Sequence, residues 1–453
     1  MTESYCRITT IVLTILCINC FTSQLQAVAG TDTSPSKPRI IVTTDGEGDD
    51  QCSMVRFLLY ANEWDLHGIV FSSSKHHWKG EGDIEGYKWL GMEWLDKQLE
   101  AYAEVYPNLK LHDETYPCPE YIKSQVYVGN ILLEGDMREA TPGSDHIAKV
   151  LLQPDTSPIW LQAWGGPNTI ARALKTIQED HPNRMAEVSK KARIFLIAEQ
   201  DKTYRDYIKM EWPGIMTLKS GYDSYGGISY RWKHFQTIKV LPYFEPDWLY
   251  PNILKNHGPL GASYLMKKNK YRSEGDSPAF LHCINTGLRS LEHPGWGGWG
   301  GRFYLNEGAE WKSADKEGMK PHTILRWAID FQNDWAARAD WCLQSIEEAN
   351  HPPKIQLDHD SDLVAQPGQR LHLSAEATRD ADGDTLHFTW WQHRETGRYS
   401  IPIRIETANQ PQCTIILPED ATRGDTYHMI CTVRDNGAPV LTRYARVIIS
   451  VND

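Results

Sequence analysis

Arg39-Ile40-Ile41-Val42-Thr43-Thr44 runs directly into Asp45-Gly46-Glu47-Gly48-Asp49-Asp50, so that a β-branched run is followed by an acidic turn broken by two glycines. Downstream, residues 52–62 carry apolar side chains at helical spacing, and Leu66 to Ser72 is extended again. That is a βαβ unit. The rhythm returns with Ile159-Trp160-Leu161 before a helix expected over Asn168 to Asp180, and with Arg193 to Ala198 before one expected over Thr203 to Trp212. Alternation of this kind predicts an α/β fold with a mostly parallel sheet, flanking helices and ligands at the carboxyl ends of the strands. At His351-Pro352-Pro353 the rhythm stops. Beyond it come short alternating runs, Leu371 to Ala375, Leu386 to Trp391, Cys413 to Leu417 and Tyr427 to Val433, which predict a C-terminal all-β, Ig-like sandwich over 351–453.

The acidic turn packs four carboxylates into the six positions from Asp45 to Asp50. A helix N-terminus favours negative charge, but the dipole alone does not account for four acids. Converging carboxylates repel, and at least one is driven to a raised pKa unless a cation sits among them. A hard divalent ion resolves the conflict, Ca2+ ahead of Mg2+; an acidic, solvated cap is the alternative. An EF-hand is excluded because the twelfth position counted from Asp45 is Arg56 where a Glu is required. A phosphate-cradling loop is excluded because the Gly-Lys-Ser/Thr ending is missing.

The chain has 453 residues, 47 Lys+Arg against 59 Asp+Glu and a formal net charge of −12, a balance that offers no electrostatic footing for a nucleic acid polymer. Residues 1–29 carry Arg7, an apolar run from Ile8 to Phe21 and Ala27-Val28-Ala29 before Gly30, the pattern of a cleaved secretory signal. A secreted or periplasmic mature chain starting at Gly30 is expected, with no membrane span and a first domain over 30–350. Six cysteines then remain, too few for a disulfide scaffold, and Cys413 with Cys431 is the expected bridge.

Further strings sharpen the reading: TTDGEGDDQCSMVRFLLYANEWDLHGIVFSSS (43–74), WGGPNTIARAL (164–174), HGPLGASY (257–264), EGDSPAFLHCINTGL (274–288) and HPGWGGWGGRF (293–303). With the acidic turn they resemble the nucleoside hydrolases, calcium-dependent N-ribohydrolases. More fully they resemble the secreted nucleoside hydrolase-like family of polysaccharide-degrading bacteria, some members of which are named cellulose-binding proteins. The resemblance implies that Asp45 binds calcium and acts as general base, that Asp49 contacts sugar hydroxyls, and that Asp50 chelates the metal. It also implies that the Trp164 carbonyl and Asp276 complete the shell, although Asp276 also reads as the cap of a helix expected over Ser277 to Leu288, and one residue can cap and ligate. A carboxylate beside a metal-bound water can take its proton while the ion orients the sugar.

Departures bear on the substrate. Gly275 stands where nucleoside hydrolases usually carry a leaving-group His, Ser73-Ser74-Lys75 replaces the Asn expected after the second strand, and the usual Glu-x-Asn sugar pair is not evident around 199–225. Sugar contacts are expected from Glu47, Ser74, His77, Trp78, Asn168, Glu199 and Asp201, the last two also readable as a plain helix cap. The glycine-flanked pair Trp296 and Trp299 offers flat apolar faces for sugar rings, or else a plug packed inward. In the tail, Asp380-Ala381-Asp382-Gly383-Asp384 is a turn that binds calcium or serves the backbone alone, and one of Trp390 and Trp391 belongs to the core. The function expected is a secreted, calcium-dependent glycosyl hydrolase acting on an N- or O-glycoside, a plant or microbial glycan fragment. A non-catalytic carbohydrate-binding protein and a nucleoside N-ribohydrolase are the alternatives.

Overall fold

A computed structural model describes residues 37–452 apart from 231, 267–270, 272 and 316–321. The expected export signal lies outside the described residues. Ten strands lead: β1 (Arg39–Thr44), β2 (Asp65–Phe71), β3 (Trp78–Glu81), β4 (Ile84–Tyr87), β5 (Val126–Val128), β6 (Ile159–Ala163), β7 (Ala192–Leu196), β8 (Met216–Lys219), β9 (Phe303–Glu307) and β10 (Glu310–Ser313). Eight of them form one sheet in the order β5-β2-β1-β6-β7-β8-β10-β9, parallel throughout except where β9 runs against β10. Every residue of β1 and β6 is buried, as strands covered by helices on both faces require. β3 and β4 form a separate hairpin.

The strand order places the site. From β1 the chain moves to one side, to β2 and β5, then crosses to β6 on the other. The carboxyl ends of β1 and β6 therefore flank a topological switch point, where a crevice opens between diverging loops. Helix Gly48–Leu59 follows β1 and helix Asn168–Asp180 follows β6. Two helices expected from spacing are shorter or irregular. Residues 204–211 form a π-helical turn running into a short α-turn. The helix from Ser277 stops at Leu281, and the chain beyond it pairs with the tail instead, Tyr444 N–H to Thr286 O and Arg446 N–H to Gly287 O.

The tail adds β11 (Asp362–Ala365), β12 (Arg370–Ser374), β13 (His387–Gln392), β14 (Arg404–Glu406), β15 (Gln412–Ile416), β16 (Thr426–Arg434) and β17 (Thr442–Val451). They form two sheets, β11-β17-β16-β13 and β12-β15-β14, antiparallel except for the β11/β17 pair. Leu373, Trp390, Ile415, Met429 and Val447 fill the space between them. Trp390 is the core member of its pair; Trp391 packs toward Trp327 of the first part, with Arg326 over its ring. The expected Cys413–Cys431 bridge is not formed. The two are free, buried thiols on strands of different sheets, embedded in that apolar interior.

The tail does not hang loose: Pro38–Asp453 is one compact unit. Gly287, at φ 87°, shows how closely the parts meet, since a Cβ there would lie 1.7 Å from the Tyr444 carbonyl oxygen. Among the described residues no helix is long and apolar enough to cross a membrane.

Candidate metal centre and cleft

Asp45 follows β1 at its carboxyl end and is 1% exposed. Gly46 takes φ 75°, and its N–H and Asp50 Oδ1 both bond Thr44 Oγ1, which locks the turn. The turn sets Asp49 and Asp50 in the first turn of the following helix, both buried. Asp276 arrives from a distant segment, directly before Ser277–Leu281. Asp49, Asp50 and Asp276 offer oxygens within 4.8 Å of one another, as do the donor atoms of Asp45, Glu47 and His77. Asp45 Oδ2, Asp49 Oδ1 and Asp276 Oδ2 are buried with no hydrogen-bond partner among the described residues. Native proteins rarely leave such atoms unsatisfied without a use for them. The three-aspartate donor set is all oxygen and all anionic, which fits a hard divalent ion.

Glycine permits the close packing. A Cβ on Gly275 would lie 2.4 Å from Asp49 Oδ2, and one on Gly165 would lie 2.9 Å from Asp45 Cγ. Gly275 occupies the place where the resemblance expects a leaving-group His, and Asp49 fills the space such a side chain would need.

The electrostatics divide the group. Burial, then the charges of Asp50, Asp49 and Asp45, push Asp276 well above the ordinary carboxylate range. Burial, then Asp45 and Asp49, does the same to Asp50. Burial and the Glu47 charge raise Asp49 to about 7. Burial acts upward on Asp45 as well, but the facing His77 ring, the Ser74 hydroxyl and the Glu47 N–H outweigh it and hold Asp45 below its usual value. His77 moves up: burial opposes its charge, and Asp45, Glu47 and Asp49 more than compensate.

A cleft of about 330 Å3 opens over these groups, walled by Glu47, Asp49, His77, Gln200, Tyr225 and Asp276, with Lys75, His76, Lys88 and Tyr230 at its lining as well. The Tyr230 hydroxyl donates to Glu47 Oε1 at 3.1 Å. Tyr225, Tyr230 and Lys88 were not expected from sequence; for the tyrosines the tyrosine-rich run 221–230 was the available signal.

The other expected residues divide. Ser74 is buried under the cleft, where its Oγ accepts the N–H groups of His76 and His77. The Trp164 carbonyl accepts from Gln200 Nε2 at 2.7 Å, which takes one of its two lone pairs. Its indole is fully buried beside Phe57. Asn168 does not face the cleft. Its amide donates to Ser73 Oγ and to the Asn130 and Asp136 carbonyls, and its oxygen accepts from Ser72, so it is saturated as a tie between loops. Asp201 is a helix cap: Oδ1 accepts from Thr203 N–H and Oγ1, and Oδ2 from Asn168 N–H. Glu199 is paired with Lys219. Trp78 stacks on Tyr87 in the β3/β4 hairpin, centroids 4.8 Å apart. The Trp296/Trp299 pair is a plug and not a sugar platform. Trp299 is 1% exposed, while Trp296 stacks on His293 and its carbonyl accepts from Arg446 of the tail. In the tail turn, Asp380 Oδ1 accepts the N–H groups of Asp382 and Asp384, and Asp382 holds His351, so the turn has a backbone role.

Comparison with known proteins follows the geometry. The family described as "Cellulose-binding Sde182, nucleoside hydrolase-like domain" matches residues 39–303, and "Cellulose-binding protein Sde0182, C-terminal domain" matches 370–451. A solved nucleoside hydrolase-related protein from Saccharophagus degradans, described as associated with carbohydrate metabolism, is 30% identical with a TM-score of 0.78, covering 92% of this chain and 100% of its own. A plant nucleoside hydrolase is 11% identical with a TM-score of 0.35, over 68% of this chain and 99% of its own. No curated protein sequence matches.

Proposed function

The chain belongs to the cellulose-binding family with a nucleoside hydrolase-like domain, and from that premise we propose that it is a calcium-dependent hydrolase of an N- or O-glycoside. Residues 30–350 would be its catalytic part, 351–453 its sandwich, and 1–29 an export signal that delivers it outside the cytoplasm. One observation carries the reading: buried carboxylates from two distant segments, Asp49 and Asp50 with Asp276, converge beside a cleft that Asp49 and Asp276 line, and Asp49 Oδ1 and Asp276 Oδ2 have no hydrogen-bond partner among the described residues. Their mutual repulsion is relieved most directly by a divalent cation.

Asp50 and Asp276 would hold the ion with Asp49, Asp45 and the free lone pair of the Trp164 carbonyl alongside. When bound, Ca2+ would neutralise the floor and orient a water and the sugar hydroxyls. Asp45 is ionised at neutral pH and keeps Oδ2 free, so it can accept the proton of an attacking water. Tyr225 and Tyr230 line the cleft and would offer it aromatic surface for a sugar ring.

Calorimetric titration with Ca2+ and a release screen over glycan fragments, aryl glycosides, inosine and uridine test the proposal. Asp276→Asn is expected to abolish calcium binding, and Asp45→Asn to lower turnover by about 10²- to 10⁴-fold. A second reading, non-catalytic carbohydrate binding, is favoured by Gly275, where a leaving-group acid has no room beside Asp49. It prevails if no glycoside is turned over and glycan affinity survives Asp45→Asn.

A further inference from the structure

We propose that Asp45, Glu47 and His77 form a second cation site, separate from the three-aspartate cluster, that takes a borderline divalent ion of the Zn2+ class. Their donor atoms lie within 4.8 Å of one another. His77 Nδ1 stands 3.6 Å from Asp45 Oδ2 and 3.7 Å from Glu47 Oε2. Those separations are too long for hydrogen bonds. They are close to the edges of a coordination tetrahedron whose bonds are about 2.1 Å.

Two of the three donors, Asp45 Oδ2 and His77 Nδ1, are buried with no hydrogen-bond partner among the described residues, and their residues are only 1% and 5% exposed. A paired histidine and aspartate would meet at hydrogen-bond distance; these two stand 3.6 Å apart.

Each donor is held from behind. Ser74 Oγ accepts the His76 and His77 N–H groups, and Ser74 N–H donates to the His77 carbonyl, so the loop carrying the imidazole is pinned. Tyr230 takes Glu47 Oε1, which leaves Oε2 turned to His77. Gly165 lets the β6 loop press against Asp45. Glu47 and His77 both line the cleft, so a fourth position is open to water or a ligand.

Donor chemistry separates the two sites. The aspartate cluster presents only carboxylate oxygen, the preference of Ca2+, whereas one imidazole with two carboxylates suits Zn2+ or Co2+. An ion at this second site uses the Asp45 oxygen that the glycosidase reading assigns to the water proton, so zinc occupancy and hydrolysis compete for it.

The test uses the full chain, stripped with a chelator and saturated with Ca2+, then titrated with Co2+ and, by calorimetry, with Zn2+. One Co2+ per chain with the visible absorption of a nitrogen-ligated ion is expected. His77→Ala, or His77→Gln if the alanine variant does not fold, should lose that absorption and weaken Zn2+ at least tenfold. Asp276→Asn should lose calcium affinity and keep Co2+. The proposal is overturned if the calcium-saturated protein takes up no Co2+, or if a folded His77 variant binds it as the parent does. Either result leaves the calcium titration, and with it the reading of the aspartate cluster, to stand or fall separately.

Discussion

Asp276 and Asp334 are each 2% exposed, yet they titrate in opposite directions. Burial pushes Asp276 well above its ordinary range, and three neighbouring aspartates push it further. Burial acts upward on Asp334 too, but the guanidiniums of Arg443 and Arg338 outweigh it and hold the carboxyl below its usual value. Arg443 lies 2.6 Å and Arg338 3.2 Å from the two Asp334 oxygens. Arg338 also reaches Glu63, the Leu59 carbonyl, Asn62 and the Tyr116 hydroxyl. Nearby, Arg56 holds Glu274 through two bonds, with Trp335 under the guanidinium. The first part of the chain thus contains two kinds of buried charge. One is closed by its own arginines and joins helix Ala328–Asp340 to helix Gly48–Leu59 and the tail. The other, Asp49, Asp50 and Asp276, has no arginine or lysine paired with it among the described residues, which is why a cation from solution is proposed for it.

The largest effect should come from opening the closed network. Arg338→Met leaves Asp334 and Glu63 without their shared cation and should destabilise the protein by about 3–5 kcal/mol in urea or thermal unfolding. A loss under about 1 kcal/mol would break the contrast. In the open cluster the sign reverses. Calcium at a hundredfold excess over its dissociation constant should stabilise the parent by about 2.7 kcal/mol, and Asp276→Asn should abolish that gain without destabilising the metal-free protein.

The pH response should differ in the same sense. A carboxylate raised from 3.8 to about 7, as Asp49 is, binds more protons folded than unfolded. Its contribution is present below the unfolded value and is lost as pH rises through about 7. Asp49 alone should therefore cost the metal-free protein about 3 kcal/mol between pH 4 and pH 7, and saturating calcium should flatten the slope. Thermal melts in chelator and in calcium would show it; equal slopes would count against cation binding. Asp201→Ala removes a cap and should cost about 1 kcal/mol with calcium affinity unchanged. The smallest effect, about 0.5 kcal/mol, is expected for Trp78→Ala, which unstacks a hairpin pair and leaves the cluster intact.

Much of the fold was legible from periodicity. The β-branched run at 39–44, the helix at 168–180 and the alternating runs of the tail all form as expected, because local spacing reports which faces are covered. Asp45, Glu47, Asp49 and Asp50 stood out because four acids crowded into one turn need an explanation that a solvated cap does not supply, whereas Asp276 was reached only through the family resemblance. Asn168 was expected at the sugar and ties loops instead, and Asp201 and the Trp296/Trp299 pair stayed open between ligand and packing, for one reason. A polar or aromatic residue in a loop looks the same in sequence whether it faces a ligand or another loop.

The sequence by itself determined the alternating layers and the excess of negative charge after β1, since both are properties of neighbouring residues. Only the tertiary structure decided which of the buried acids acquired an arginine and which did not. Asp276 lies more than two hundred residues from Asp50, and Arg443 more than a hundred from Asp334. Pairing at that range is set by how helices and sheets pack, because Coulomb attraction depends on separation in space and not on distance along the chain.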